Sequence, residues 1–139
     1  MKKLLIIIFS TVFVFTSCSK DGTGPEINLS YQMLSEKIWY LDYTLTSASN
    51  GAVTKSYIGQ STYFVKFLND KTTLDSDGIT GTYTVEKING VLQIHVQAKT
   101  TGSNSIEYIY NIETLGTNVM ILYFQKAGVA TKLYYNTSH

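Results

Sequence analysis

Between Trp39 and the end of the chain, apolar side chains recur at every second position, in short runs separated by clusters of glycine, asparagine, aspartate and serine. A period of two places successive side chains on opposite faces, the signature of a half-buried β-strand. Trp39, Leu41, Tyr43 and Leu45 are expected on one face of the first strand, with Tyr40, Asp42 and Thr44 on the other. Tyr63, Val65 and Phe67 alternate with Thr62, Phe64 and Lys66, and Asn69-Asp70 ends that run. A short strand over Thr72 to Leu74 closes at Asp75-Ser76-Asp77-Gly78, and Gly81 to Val85 turns Tyr83 and Val85 inward. Asn89-Gly90 predicts a type I′ hairpin, because both turn positions need positive φ. Leu92, Ile94 and Val96 then alternate with Gln93 and His95. After a polar loop over 99–104, Ile106, Tyr108, Tyr110 and Ile112 oppose Glu107 and Asn111. The turn Leu115-Gly116-Thr117-Asn118 precedes the apolar run Val119 to Phe124, and Lys132 to Tyr135 is the last strand. A further strand is expected around Lys55 to Ile58. Short strands joined by tight turns, with no helical pattern between them, predict an all-β antiparallel meander curling into a barrel or sandwich.

The pattern ahead of Trp39 differs. Tyr31, Leu34 and Ile38 fall at helical spacing, which predicts one short helix capped by Asn28 or Ser30 and running to about Lys37. Residues 18–29 hold the only proline and little to bury, and read as a tether. Met1-Lys2-Lys3 followed by the dominantly apolar stretch Leu4 to Phe15 reads as a signal peptide covering residues 1–17, too short for a transmembrane helix of about 20 residues. Thr16 and Ser17 stand immediately before Cys18, the chain's one cysteine, in a pattern similar to a bacterial lipobox. Cys18 is therefore the expected site of lipid attachment, which places the protein on a bacterial outer membrane, facing the periplasm or the cell surface. Residues 30–139 form the remaining β domain.

Composition narrows the function. Removing Lys2 and Lys3 from the eleven basic residues leaves nine lysines against ten carboxylates, and there is no arginine. That balance argues against a nucleic-acid partner, which calls for a basic patch and bidentate guanidinium contacts. Catalysis lacks its parts: His95 shares the polar side of its strand with Gln93 and Gln97, and the other histidine is His139. The same scarcity of His and Cys leaves no metal site or cofactor expected. Asp75-Ser76-Asp77-Gly78 begins like a calcium loop, but it lacks the later oxygen ligands and reads as a turn.

The segments Leu34 to Trp39, Phe67 to Thr72, Gly81-Thr82-Tyr83, Tyr110-Asn111-Ile112 and Leu115 to Leu122 resemble the lipocalin-like domains of Bacteroidetes lipoproteins. The resemblance implies an up-and-down barrel of about eight strands entered by a short helix, acting as a binding or scaffold module and carrying no catalytic residue. Eleven tyrosines, each with an apolar body and a polar tip, suit either a packed core or the wall of a binding cleft. Two functions follow. In one, the barrel binds a small apolar ligand or an envelope partner, with Tyr83 and Tyr108 on the cavity wall. In the other it is a structural accessory, its interior filled by Trp39, Tyr63, Phe67 and Tyr83.

Overall fold

The computed structural model describes residues 24–99 and 104–138, so Cys18 and the segment 1–23 lie outside it. One helix, α1 (Pro25–Leu34), precedes nine strands: β1 (Lys37–Ala48), β2 (Gly51–Ser56), β3 (Phe64–Phe67), β4 (Thr72–Asp75), β5 (Thr80–Ile88), β6 (Val91–Lys99), β7 (Ser105–Leu115), β8 (Val119–Lys126) and β9 (Val129–Asn136). Each strand from β3 onward pairs antiparallel with the next, and β9 returns to pair with β1. Eight strands thereby close a barrel, as the alternation predicts, and closure removes the exposed edges that an open sheet would carry.

β2 is the extra strand. It pairs with the second half of β1 while β3 pairs with the first four residues, so β2 and β3 lie end to end along one edge of β1. The connection between them is pinned at both ends, with Tyr57 N–H donating to the Asp42 carbonyl at 2.7 Å and Leu41 N–H donating to the Tyr63 carbonyl at 2.9 Å. The strand expected near Lys55 to Ile58 thus lies earlier, over Gly51–Ser56, and leaves Tyr57 and Ile58 in the connection.

The helix begins before the expected caps at Asn28 or Ser30. Pro25 occupies its first turn, where the missing N–H costs nothing and φ is already helical. The Gly24 carbonyl accepts from Ile27 N–H at 2.9 Å, and Ile27 is buried against the barrel. Residues 25–29, read from sequence as the end of a tether, are therefore the first half of α1. Ser30 sits mid-helix, its hydroxyl donating to the Glu26 carbonyl at 2.8 Å. The helix also stops earlier than expected: Ser35 is extended and Glu36 takes φ 61°, so Ile38 belongs to β1 and not to the helical face.

Two bulges reset which residues face inward. Against β9, Leu41 opposes Tyr135 but Tyr43 opposes Tyr134, so Asp42 is an inserted residue. An inserted residue reverses every later side chain on its strand. Trp39 and Leu41 face the interior as expected, but beyond the bulge Thr44 and Thr46 face in while Tyr43 and Leu45 face out. The outward Tyr43 ring stacks on Tyr134 at 4.1 Å. In β7 the shift falls between Ile112 and Thr114, which lets both Ile112 and Leu115 face inward, opposite Leu122 and Met120.

The core gathers at the helix end. Leu34, Trp39, Phe67, Tyr83, Val85, Ile94, Met120 and Leu122 are buried there with Ile27. Trp39 is wholly enclosed, and its indole N–H donates to the Leu34 carbonyl at 2.9 Å, satisfying an acceptor at the end of α1. Gly81 is needed where β5 passes β6, since a Cβ there would lie 2.5 Å from the Gln97 carbonyl oxygen. Tyr63, expected as interior filling, lies outside β3 and is 40% exposed, its ring against Tyr57 at 4.6 Å.

Candidate functional site

β1 leaves the helix end at Lys37, so its far end, and with it the β1–β2 and β8–β9 turns, marks the opposite mouth of the barrel. Toward that mouth the inward-facing residues of β7 open to solvent, while Ala98 of β6, opposite Ile106, stays buried. Tyr83, Val96 and Tyr108 form one cross-strand row on the interior face of β5, β6 and β7. Sequence reasoning grouped the outer two as cavity wall, yet their surroundings differ sharply.

Tyr83 is 2% exposed and packs against Phe67 at 5.0 Å and Tyr31 of α1 at 5.6 Å. Its hydroxyl donates to the Leu68 carbonyl at 3.1 Å. Burial pushes its phenol up to about 12, with the neighbouring Tyr31 and Asp70 adding to the shift. It is a core residue joining the helix to the β3–β4 turn. Tyr108 is 43% exposed, and Ile106, one step nearer the mouth on the same face, is 47% exposed.

Beside Tyr108, and running from it toward the core, lie residues that were not singled out as site residues. Tyr110 stacks on Tyr108 with ring centroids 6.3 Å apart and meets Phe124 edge-on at 5.7 Å. Burial raises the Tyr110 phenol to about 12, and burial likewise raises Tyr135. The Asp75 carboxylate contributes to both shifts, which sets it near the two phenols. Asp75 opposes Val65, which opposes Trp39, so the register turns it toward the interior. One of its oxygens accepts from the backbone N–H groups of Asp77 and Ile79, the turn read from sequence. The inward alternation of Tyr110 was legible, but no sequence signal brings Phe124 and Asp75 to the same end of a closed barrel.

This arrangement is suited to binding. Aromatic rings give apolar area at low entropic cost, and phenols and a carboxylate supply a few oriented polar groups. His95 is elsewhere, on the outer wall, with Nε2 3.1 Å from Gln93 Oε1 and Nδ1 3.6 Å from a Glu107 oxygen. Among the described residues no group of three His, Cys, Asp or Glu side chains could hold a metal ion, and no helix is long and apolar enough to cross a membrane. Hollows of about 270 and 180 Å³ flank α1, the first over Leu92, Ile112 and Leu115 and the second beside Tyr31 and Tyr83.

A closed antiparallel barrel with a short helix across one end is a lipocalin-like fold. Among solved structures, the crystal structure of a lipocalin-like protein from Bacteroides uniformis is similar, with a TM-score of 0.50 at 15% sequence identity, covering 76% of this chain and 99% of that one. No family model and no curated protein matches the sequence. At that identity the likeness is one of fold.

Proposed function

We propose that the protein is a lipoprotein of the bacterial outer membrane, tethered through Cys18, whose lipocalin-like barrel takes up a small apolar ligand at its mouth. The observation that supports binding is a contrast inside the barrel: the helix end is filled, while Tyr108 and Ile106 on the inward face of β7 stay open to solvent. Apolar surface held exposed on the inward face of a closed sheet is favourable to cover, at roughly 25 cal/mol per Å². The anchor rests on the apolar leader and the position of Cys18, and it directs the barrel toward ligands or envelope proteins at the membrane surface.

The apolar fluorescent probe N-phenyl-1-naphthylamine tests the mouth. The full chain in detergent is expected to bind it, and Tyr108→Ala should weaken binding several-fold while the urea midpoint stays near wild type. Tyr83→Ala should instead unfold the barrel by roughly the cost of a large core truncation, about 3 to 5 kcal/mol. The rival, a structural accessory with a filled barrel, draws support from the Tyr108, Tyr110 and Phe124 rings that already contact one another. It prevails if the probe does not bind and Tyr108→Ala destabilises as Tyr83→Ala does. Intact mass tests the anchor: mature protein should begin at Cys18 and carry acyl mass, and Cys18→Ala should lose that mass and its detergent partitioning. Wild-type protein without acyl mass overturns the lipoprotein reading.

A further inference from the structure

The outer wall carries a hollow separate from the mouth. The β6–β7 ladder ends at Gln93 and Asn111, and just beyond it the Glu113 bulge alters the course of β7. There the wall dips into an open hollow of about 410 Å³ lined by Val91, Asn111, Ile112, Glu113, Tyr123 and Lys132. Gln93, Asn111, Tyr123 and Lys132 occupy one cross-strand row over β6, β7, β8 and β9. The row is opposite in facing to Ile94, Tyr110, Leu122 and Leu133, which pack on the core, so it looks outward.

We propose that this hollow is a second binding site, for a neutral oligosaccharide. Charge is the first ground. Lys132 Nζ lies 2.6 Å from Glu113 Oε1, and the only two charged groups of the lining thereby neutralise each other. An anion would meet the Glu113 carboxylate and a cation the Lys132 ammonium. Shape is the second, because the hollow is open, whereas an acyl chain is best held in an enclosed apolar pocket. Donor and acceptor inventory is the third. A sugar hydroxyl both donates and accepts, and the lining offers the Asn111 amide with both capacities, a carboxylate acceptor and an ammonium donor around the Tyr123 ring and the apolar Val91 and Ile112. An aromatic ring can cover the C–H face of a pyranose as it covers other apolar surface.

The hollow continues into a strip of planar polar side chains already held in place. Asn111 accepts from Gln93 Nε2 at 2.8 Å, Gln93 reaches His95 at 3.1 Å, and Gln97 donates to Glu107 at 2.8 Å, beside His95. Four residues of extended strand from Gln93 to Gln97 add about 13 Å. That length favours several sugar units over one, and side chains fixed by each other lose little entropy on binding.

Calorimetry on the full chain in detergent tests the site with maltohexaose, cellohexaose, mannohexaose, chitohexaose and, as the acidic control, hexagalacturonate. At least one neutral hexamer is expected to bind. Tyr123→Ala and Asn111→Ala should each weaken it by roughly tenfold, about 1.4 kcal/mol, while circular dichroism stays that of the folded barrel. Tyr123→Phe should retain binding, since the ring remains. Glu113→Gln, which leaves Lys132 uncompensated, should shift preference toward hexagalacturonate. Tyr108→Ala should change none of these, which separates this site from the mouth. The proposal is overturned if no neutral hexamer binds wild type, if binding survives both alanine variants, or if wild type prefers hexagalacturonate.

Discussion

Trp39 ties two elements together with one side chain. Its ring fills the floor of the barrel, and its indole N–H reaches the Leu34 carbonyl at the end of α1. Trp39→Ala removes both contributions and leaves a large cavity, so urea denaturation should show a loss of about 3 to 5 kcal/mol. Trp39→Phe keeps most of the ring and strands the carbonyl, with an expected loss of about 1 to 3 kcal/mol. A phenylalanine variant as stable as wild type would show that the indole bond contributes nothing. At this scale Trp39 was legible, because a lone tryptophan opening an alternating run next to a helical segment has few places to go. The separation of Tyr83 from Tyr108 was not. Both sit on the interior face, and only the position of α1 over one of them makes that one core.

The hairpins show how far local chemistry specifies an element. Asn89 and Gly90 take φ 51° and 82°, the type I′ turn their residue types predict. Ala127 and Gly128 adopt nearly the same angles, 50° and 78°, with a residue poorly suited to the first position. A left-handed conformation costs a Cβ-bearing residue roughly 1 to 2 kcal/mol, and asparagine or glycine avoids part of that. Ala127→Asn is therefore expected to raise stability by about 0.5 to 1 kcal/mol, read as a higher urea midpoint with an unchanged slope. A lower midpoint would mean that the turn is not strained at Ala127. Because Ala127 carries no turn signature, β9 was expected to begin near Lys132 when it begins at Val129. The bulge at Asp42 was equally silent: Tyr43 and Leu45 continue the alternation of Trp39 and Leu41 in sequence, and only pairing with β9 sends them outward.

For the whole molecule, the buried phenols link the fold to alkaline pH. In the unfolded chain a tyrosine ionises near pH 10, whereas Tyr83 and Tyr110 hold their protons to about 12 in the barrel. Between those values the unfolded state binds fewer protons, so stability falls as pH rises, by up to about 1.4 kcal/mol per unit for each residue. Below about pH 9 both states are protonated and these groups give no pH dependence. Phenolate absorbance should therefore stop short of eleven tyrosines until circular dichroism reports unfolding. Full ionisation near pH 10 with the barrel intact would contradict the burial of Tyr83, Tyr110 and Tyr135.

The sequence by itself determined the strand period, the Asn89-Gly90 turn and the antiparallel connectivity, because each depends on neighbours within a few residues. It also set the inventory of ionisable groups, with no arginine and two histidines. Tertiary structure decided the rest. Closure of β9 on β1, the two bulges and the seating of α1 fix which tyrosines are core, mouth or outer wall, and these depend on contacts between residues as distant as Tyr40 and Asn136. Period two records that side chains alternate, but which alternate face becomes the inside is set only when the sheet closes and one inserted residue shifts its register.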